Sequence, residues 1–113
     1  MVTSRLEGNI VYLEMEGVFN AKELIAETAK WIDREDEFIG YLCDMNKITK
    51  HPAMEQRKAE AQARKDNPKP RALVGSSEAL SRFINIYMRF TKAQGTKHFT
   101  NYEDAKAWLQ SQA

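Results

Sequence analysis

Cysteine, histidine, proline and glycine are all scarce, at one, two, three and five residues of 113. A lone Cys43 cannot close an intrachain disulfide, so a reducing, cytoplasmic setting is expected. No such staple is needed, because a chain of this length buries roughly two-thirds of its unfolded surface by its own packing. His51 and His98 have no donor at ligand spacing, so no metal site is expected, and no cofactor either. Long apolar runs are missing too. The stretch 9–15 falls far short of the roughly 20 residues a spanning helix needs, and residues 1–5 lack the apolar region of a signal peptide.

Strong charge of one sign is also absent. The formal net charge is +1 and the isoelectric point about 7.8. Residues 1–49 carry five basic and ten acidic side chains, residues 50–71 seven and three, and residues 72–113 five and three. The basic excess therefore sits mid-chain, but no aromatic residue interleaves with it, and nucleic acid is not an expected partner. What remains is an ordinary globular composition, 42% hydrophobic and 29% charged, in a length that fits one domain over residues 1–113.

Residues 2–6 and 10–15 read as two strands joined by Glu7-Gly8-Asn9, an antiparallel hairpin, with Gly17 breaking the second strand. Asn20 and Glu23 stand at capping-box spacing, and a helix to about residue 34 puts Leu24, Ile25, Thr28, Trp31 and Ile32 on one face. Residues 38–43 are almost wholly apolar, the pattern of a strand at the sheet centre covered on both faces, and a loop over 44–51 is expected after it. Pro52 then opens a helix over 53–65 in which only Met54 is large and apolar, so this element is expected to sit lightly on the body. After the breaker Asn67-Pro68-Lys69-Pro70, residues 71–74 form a buried strand, Gly75-Ser76-Ser77 a turn into a third helix over 78–92, and residues 97–99 a short last strand. Thr100 with Glu103 announces a fourth helix carrying Ala105, Trp108 and Leu109. This alternation implies an α/β domain: a mostly parallel sheet of about five strands, an antiparallel hairpin strand at one edge, and four helices.

Candidate chemistry is sparse. Cys43 in an apolar strand reads as a small buried hydrophobe. Asp44 directly follows the central strand, where α/β folds place ligands, and Ser76 and Ser77 open a helix whose first N–H groups suit an anion. Together these three form a candidate loop site, although the lysine and second glycine of a phosphate-binding loop are missing and a simple serine cap explains the turn. No acid, base and nucleophile can be placed together, so no enzyme is expected. The third helix is more unusual. Leu80, Phe83, Ile84, Tyr87 and Thr91 make one apolar stripe, but Ile86 and Phe90 lie about 100° round from its centre. Extra core contact, a homodimer or partner surface, and a strip for apolar molecules or a membrane all account for that arc.

Glu16-Gly17, Cys43-Asp44, Ala72-Leu73-Val74-Gly75 and the closing run from Phe99-Thr100 through Glu103-Asp104-Ala105-Lys106-Ala107-Trp108-Leu109 are similar to the corresponding parts of SpoIIAA-like proteins of the STAS superfamily. The resemblance implies a STAS-like fold, which shares its layout with lipid-carrying CRAL-TRIO domains, and non-enzymatic binding of nonpolar ligands or at membranes, with dimers common. True anti-sigma antagonists of this superfamily carry a phosphorylated serine shortly after the aspartate that follows the central strand. Residues 44–53 hold no serine, so the phosphoserine switch is not expected here.

The expected function is thus a small cytoplasmic or peripheral-membrane binding module. It would hold an apolar molecule or meet a membrane through Phe83, Ile86, Tyr87 and Phe90, with Met54 as part of a lid. The alternative is a regulatory protein-interaction domain acting as a homodimer.

Overall fold

The computed structural model describes residues 1–50, 69–79, 81, 82, 85 and 95–112 of the chain. Five strands, β1 (Val2–Glu7), β2 (Ile10–Val18), β3 (Gly40–Lys50), β4 (Arg71–Val74) and β5 (Thr96–Phe99), lie in the sheet in sequence order. β1 and β2 are antiparallel, and the other three pairings are parallel. This is the expected mixed sheet with its hairpin at one edge and β3 in the middle. Helix α1 (Ala21–Ala29) covers one face and α2 (Tyr102–Ser111) the other. Residues 78, 79, 81, 82 and 85 are helical as well, and the Ser77 carbonyl accepts from the Ser81 N–H, so the turn after β4 does open a helix. The expected helix over 53–65 with Met54 lies outside the described residues, as do Phe83, Ile86, Tyr87 and Phe90.

Side-chain alternation divides the sheet between two cores. Val11, Leu13 and Met15 of β2 and Tyr41, Cys43 and Met45 of β3 face α1, where Phe19, Leu24, Trp31 and Phe38 close over them. Ile10, Leu42, Ala72 and Val74 face α2 and meet its Ala105 and Leu109. Because β2, β3 and β4 are sandwiched in this way, their sequences read as near-continuous apolar runs. The α1 side carries an aromatic chain, Trp31 to Phe38 at 6.2 Å and Phe38 to Tyr41 at 5.1 Å, both edge-on. The guanidinium of buried Arg71 lies 5.0 Å from the Tyr41 ring centre on the same side.

Four boundaries depart from the sequence reading. Gly17 does not end β2: with φ +82 it sits inside the strand, beside register irregularities in the β2/β3 ladder. Glu14 and Glu16 oppose Asp44 and Lys47, so β3 carries an extra residue there, and a second extra residue, Thr49, follows between Ile48 and Lys50. Residues 44–50 are therefore strand rather than loop. The bulge also explains why Met45 and Ile48, three apart, both pack on the α1 side.

The first helix stops at Ala29 instead of residue 34. The Thr28 hydroxyl turns back onto the Leu24 and Ile25 carbonyls, and Trp31 leaves the helical path to bury against Phe38. The acidic stretch Ile32–Glu37 follows as 3₁₀ turns kinked at Arg34, which leaves Ile32 45% exposed and off the expected apolar face. Phe38 lies just before β3, and Lys69 ties this corner down by donating to the Glu35 and Phe38 carbonyls.

The last helix is capped by Asn101 rather than Thr100. Asn101 Oδ1 accepts from the Asp104 N–H at 2.9 Å and its amide donates to the Asp104 carboxylate at 3.0 Å. Asparagine is the better N-cap of the two adjacent candidates.

Candidate functional site

Asp44 is half-buried and is the last β3 residue paired with β4, opposite Val74, while on its other side it neighbours Glu14 of β2. Both carboxylates face the α2 side, because they continue the alternation set by Tyr12 and Leu42. The first turn of α2 crosses above them. Tyr102 donates its hydroxyl to Asp44 Oδ2 at 2.7 Å, and Asp44 Oδ1 accepts from the Asn46 N–H at 3.0 Å. The bond to Asp44, reinforced by partial burial, holds the Tyr102 phenol above its ordinary value.

Asn46 carries the network on to the end of β4. Its Oδ1 accepts from both the N–H and the hydroxyl of Ser76, at 2.9 and 3.0 Å. The structure therefore joins two of the three expected loop residues, Asp44 and Ser76, through an intermediary. It also changes what Ser76 can do, since the backbone donor expected to meet an anion is held by an asparagine side chain of the same chain. Ser77 stands one residue further on, at the helix start, where its carbonyl accepts the first helical bond.

A groove of about 280 Å³ runs from this point to the sheet edge, between α2 and the β1–β2 hairpin. Arg5 spans its floor, donating to Glu14 and Glu7, both at 2.7 Å, and these bonds raise the guanidinium above its ordinary value. Its carbon lies 5.2 Å from the Tyr12 ring centre, and Lys106 Nζ stands 5.9 Å from the same ring. Tyr12 and then Glu103 hold the Lys106 ammonium above its ordinary value. The groove thus alternates acid and base around a tyrosine, and it is open to solvent. Such a surface offers fixed charges for recognition.

Sequence reasoning missed Arg5, Tyr12, Glu14, Tyr102 and Lys106. The signal was weak but present. Arg5 and Tyr12 are hairpin partners, Tyr12 and Glu14 lie two apart on one strand face, and Tyr102 and Lys106 are one helical turn apart.

On the far side of β4, His98 Nε2 lies 3.1 Å from the Gly75 carbonyl and 3.5 Å from the Ser81 hydroxyl. A carbonyl can only accept, so that nitrogen carries the proton and cannot take one from Ser81. Among the described residues no three histidine, cysteine or acidic side chains are grouped to hold a metal ion, and no helix is long and apolar enough to cross a membrane.

Comparison with known proteins agrees with the architecture. A crystal structure of an uncharacterized protein from the DUF3478 family with a SpoIIAA-like fold, from Shewanella loihica PV-4, superimposes with a TM-score of 0.65. The match covers 96% of this chain and 92% of that one at 15% identity, which establishes a shared SpoIIAA-like, STAS-type fold. No curated protein matches the sequence. A family model described as "Domain of unknown function (DUF7793)" matches residues 6–113, and the chain belongs to that family.

Proposed function

We propose that this protein is a non-enzymatic interaction module of the STAS type that works by protein–protein association, as a homodimer. The observation that carries this reading is the closed polar network at the end of β3 and β4. Asp44 is engaged by Tyr102 and Asn46, and Ser76 is engaged by Asn46, so the groups nearest the usual ligand position of an α/β sheet hold each other in place. A carboxylate clamped by a phenol and a backbone N–H is poorly placed to move protons on a substrate. The charged groove beside it suits recognition of another surface. The SpoIIAA-like fold supports the same reading. Sedimentation equilibrium over a wide concentration range tests it. A mass rising from 13.0 kDa towards twice that value is expected, and a monomer at every concentration overturns it.

The wide apolar arc of residues 80–92 supports a second reading, capture of a nonpolar molecule or a membrane surface through Phe83, Ile86, Tyr87 and Phe90, with Met54 contributing. Alanine at Ile86 and Phe90 then abolishes uptake of an apolar dye while the melting temperature holds. A large fall in melting temperature assigns both side chains to the core instead.

A further inference from the structure

β1 ends the sheet, and no described strand pairs with its outer side. Which of its backbone groups face outward follows from the hairpin. Met1 and Glu16 exchange both backbone bonds, at 2.7 and 2.9 Å, so residues 1, 3, 5 and 7 direct their N–H and C=O towards β2. Val2, Ser4 and Leu6 direct theirs away from it. A third strand can add here only through these three residues.

The side chains restrict what that strand can be. Val2 and Leu6 are partly buried against the α1-side core, and Thr3, Arg5 and Glu7 are exposed on the opposite face. A second copy of β1, run antiparallel about a two-fold axis normal to the sheet, keeps both faces continuous when residues of like parity stand opposite. Four registers that overlap three or more strand residues satisfy this. Axes through Thr3 and Leu6 overlap only residues 2–4 and 5–7 of each copy, and an axis through Arg5 sets guanidinium against guanidinium. An axis through Ser4 overlaps residues 2–6, places Val2 opposite Leu6 of the other copy, and sets each Arg5 against an uncharged Thr3.

We propose that two copies of this chain pair β1 to β1 about Ser4, fusing their sheets into one ten-stranded sheet. This rests on the reading of the protein as a self-associating module and names its interface. The three outward-facing pairs, Val2 with Leu6 twice and Ser4 with Ser4, exchange two bonds each, about six in all. Half-exposed Val2 and Leu6 gain apolar cover, and the two charged grooves, each lined by Arg5 and Glu7, come to flank the axis on the α2 face.

The register is tested by disulfide trapping. Thr3 and Arg5 of opposite copies form a non-hydrogen-bonded pair with Cα atoms about 4.5 Å apart, within disulfide reach, whereas Thr3–Thr3 and Arg5–Arg5 lie on diagonals of roughly 7–8 Å. An equal mixture of Thr3→Cys and Arg5→Cys proteins is expected to cross-link under mild oxidant much faster than either protein alone, with buried Cys43 common to both. In the same preparation Thr3→Arg, which faces two arginines across the axis, weakens self-association by roughly fivefold in sedimentation. A dimer that neither cross-links in the mixture nor responds to Thr3→Arg overturns the β1 interface while leaving self-association standing. A chain monomeric at all concentrations overturns both.

Discussion

Tyr102 and Asp44, 58 residues apart in sequence, share a 2.7 Å hydrogen bond that fastens the start of α2 to the central strand. Its removal in Tyr102→Phe leaves the ring in place and costs the bond alone. With the phenol 40% exposed, the loss of unfolding free energy is about 1 kcal/mol or less in urea titrations. The bond also makes an alkaline signature. The folded phenol titrates above its ordinary 10.0, so its contribution is complete below that value and disappears as pH rises through the higher folded value. The advantage of the native chain over Tyr102→Phe accordingly narrows only in strong alkali.

Glu27 gives the opposite pH dependence. Burial pushes its carboxyl up, but the bonds from Lys30 and from the Ser4 hydroxyl outweigh this and hold it below its ordinary 4.5. Its contribution is therefore complete above about pH 4.5 and fades as pH falls through the lower folded value. Urea midpoints of the native chain and Glu27→Gln should differ at pH 6 and converge near pH 3. Because Ser4 also accepts from Trp31 Nε1 at 2.9 Å, Ser4→Ala removes a shared partner and costs about 1–3 kcal/mol at pH 6.

Gly40, at the start of β3, leaves no room for a side chain. A Cβ built there meets the Pro70 carbonyl oxygen at 2.7 Å and Leu109 Cδ2 at 2.8 Å, and the backbone atom cannot swing aside as a side chain can. Gly40→Ala is expected to lose about 1–3 kcal/mol, read as a lowered denaturant midpoint with unchanged slope.

The cap of α2 separates two adjacent residues. Asn101→Ala removes the acceptor for the Asp104 N–H and costs about 1 kcal/mol, whereas Thr100→Ala, one residue earlier, changes stability by no more than a few tenths, about the effect of an ordinary surface substitution. Equal losses, or a larger one at Thr100, contradict the Asn101 cap.

The architecture was legible because β2, β3 and β4 are covered on both faces, so that Val11, Leu13, Leu42, Cys43, Leu73 and Val74 stand out as apolar runs between helical patterns. The hairpin was legible because Gly8 at φ +60 marks its turn. The length of β3 was not. Its bulge shifts the buried side from odd to even positions between Met45 and Ile48, which erases the alternation that identifies a half-buried strand. Ile32 misled for a related reason, since the periodicity of α1 runs on in sequence past the point where Trp31 leaves the helix. Asp44 was found from its place after an apolar strand, but its partners were not. Tyr102 reaches it through the docking of α2 and Arg5 reaches its neighbour Glu14 through strand register, neither of them local in sequence, whereas Asn46, only two residues on, lay in the stretch read as a loop.

Native mass spectrometry of freshly purified protein, recorded over a range of concentrations, tests the central claim most directly because it weighs the assembly and any retained molecule together. The account predicts a species near twice 13.0 kDa, growing with concentration and carrying no added mass. A 13.0 kDa species at every concentration, alone or with a small apolar molecule bound, contradicts it.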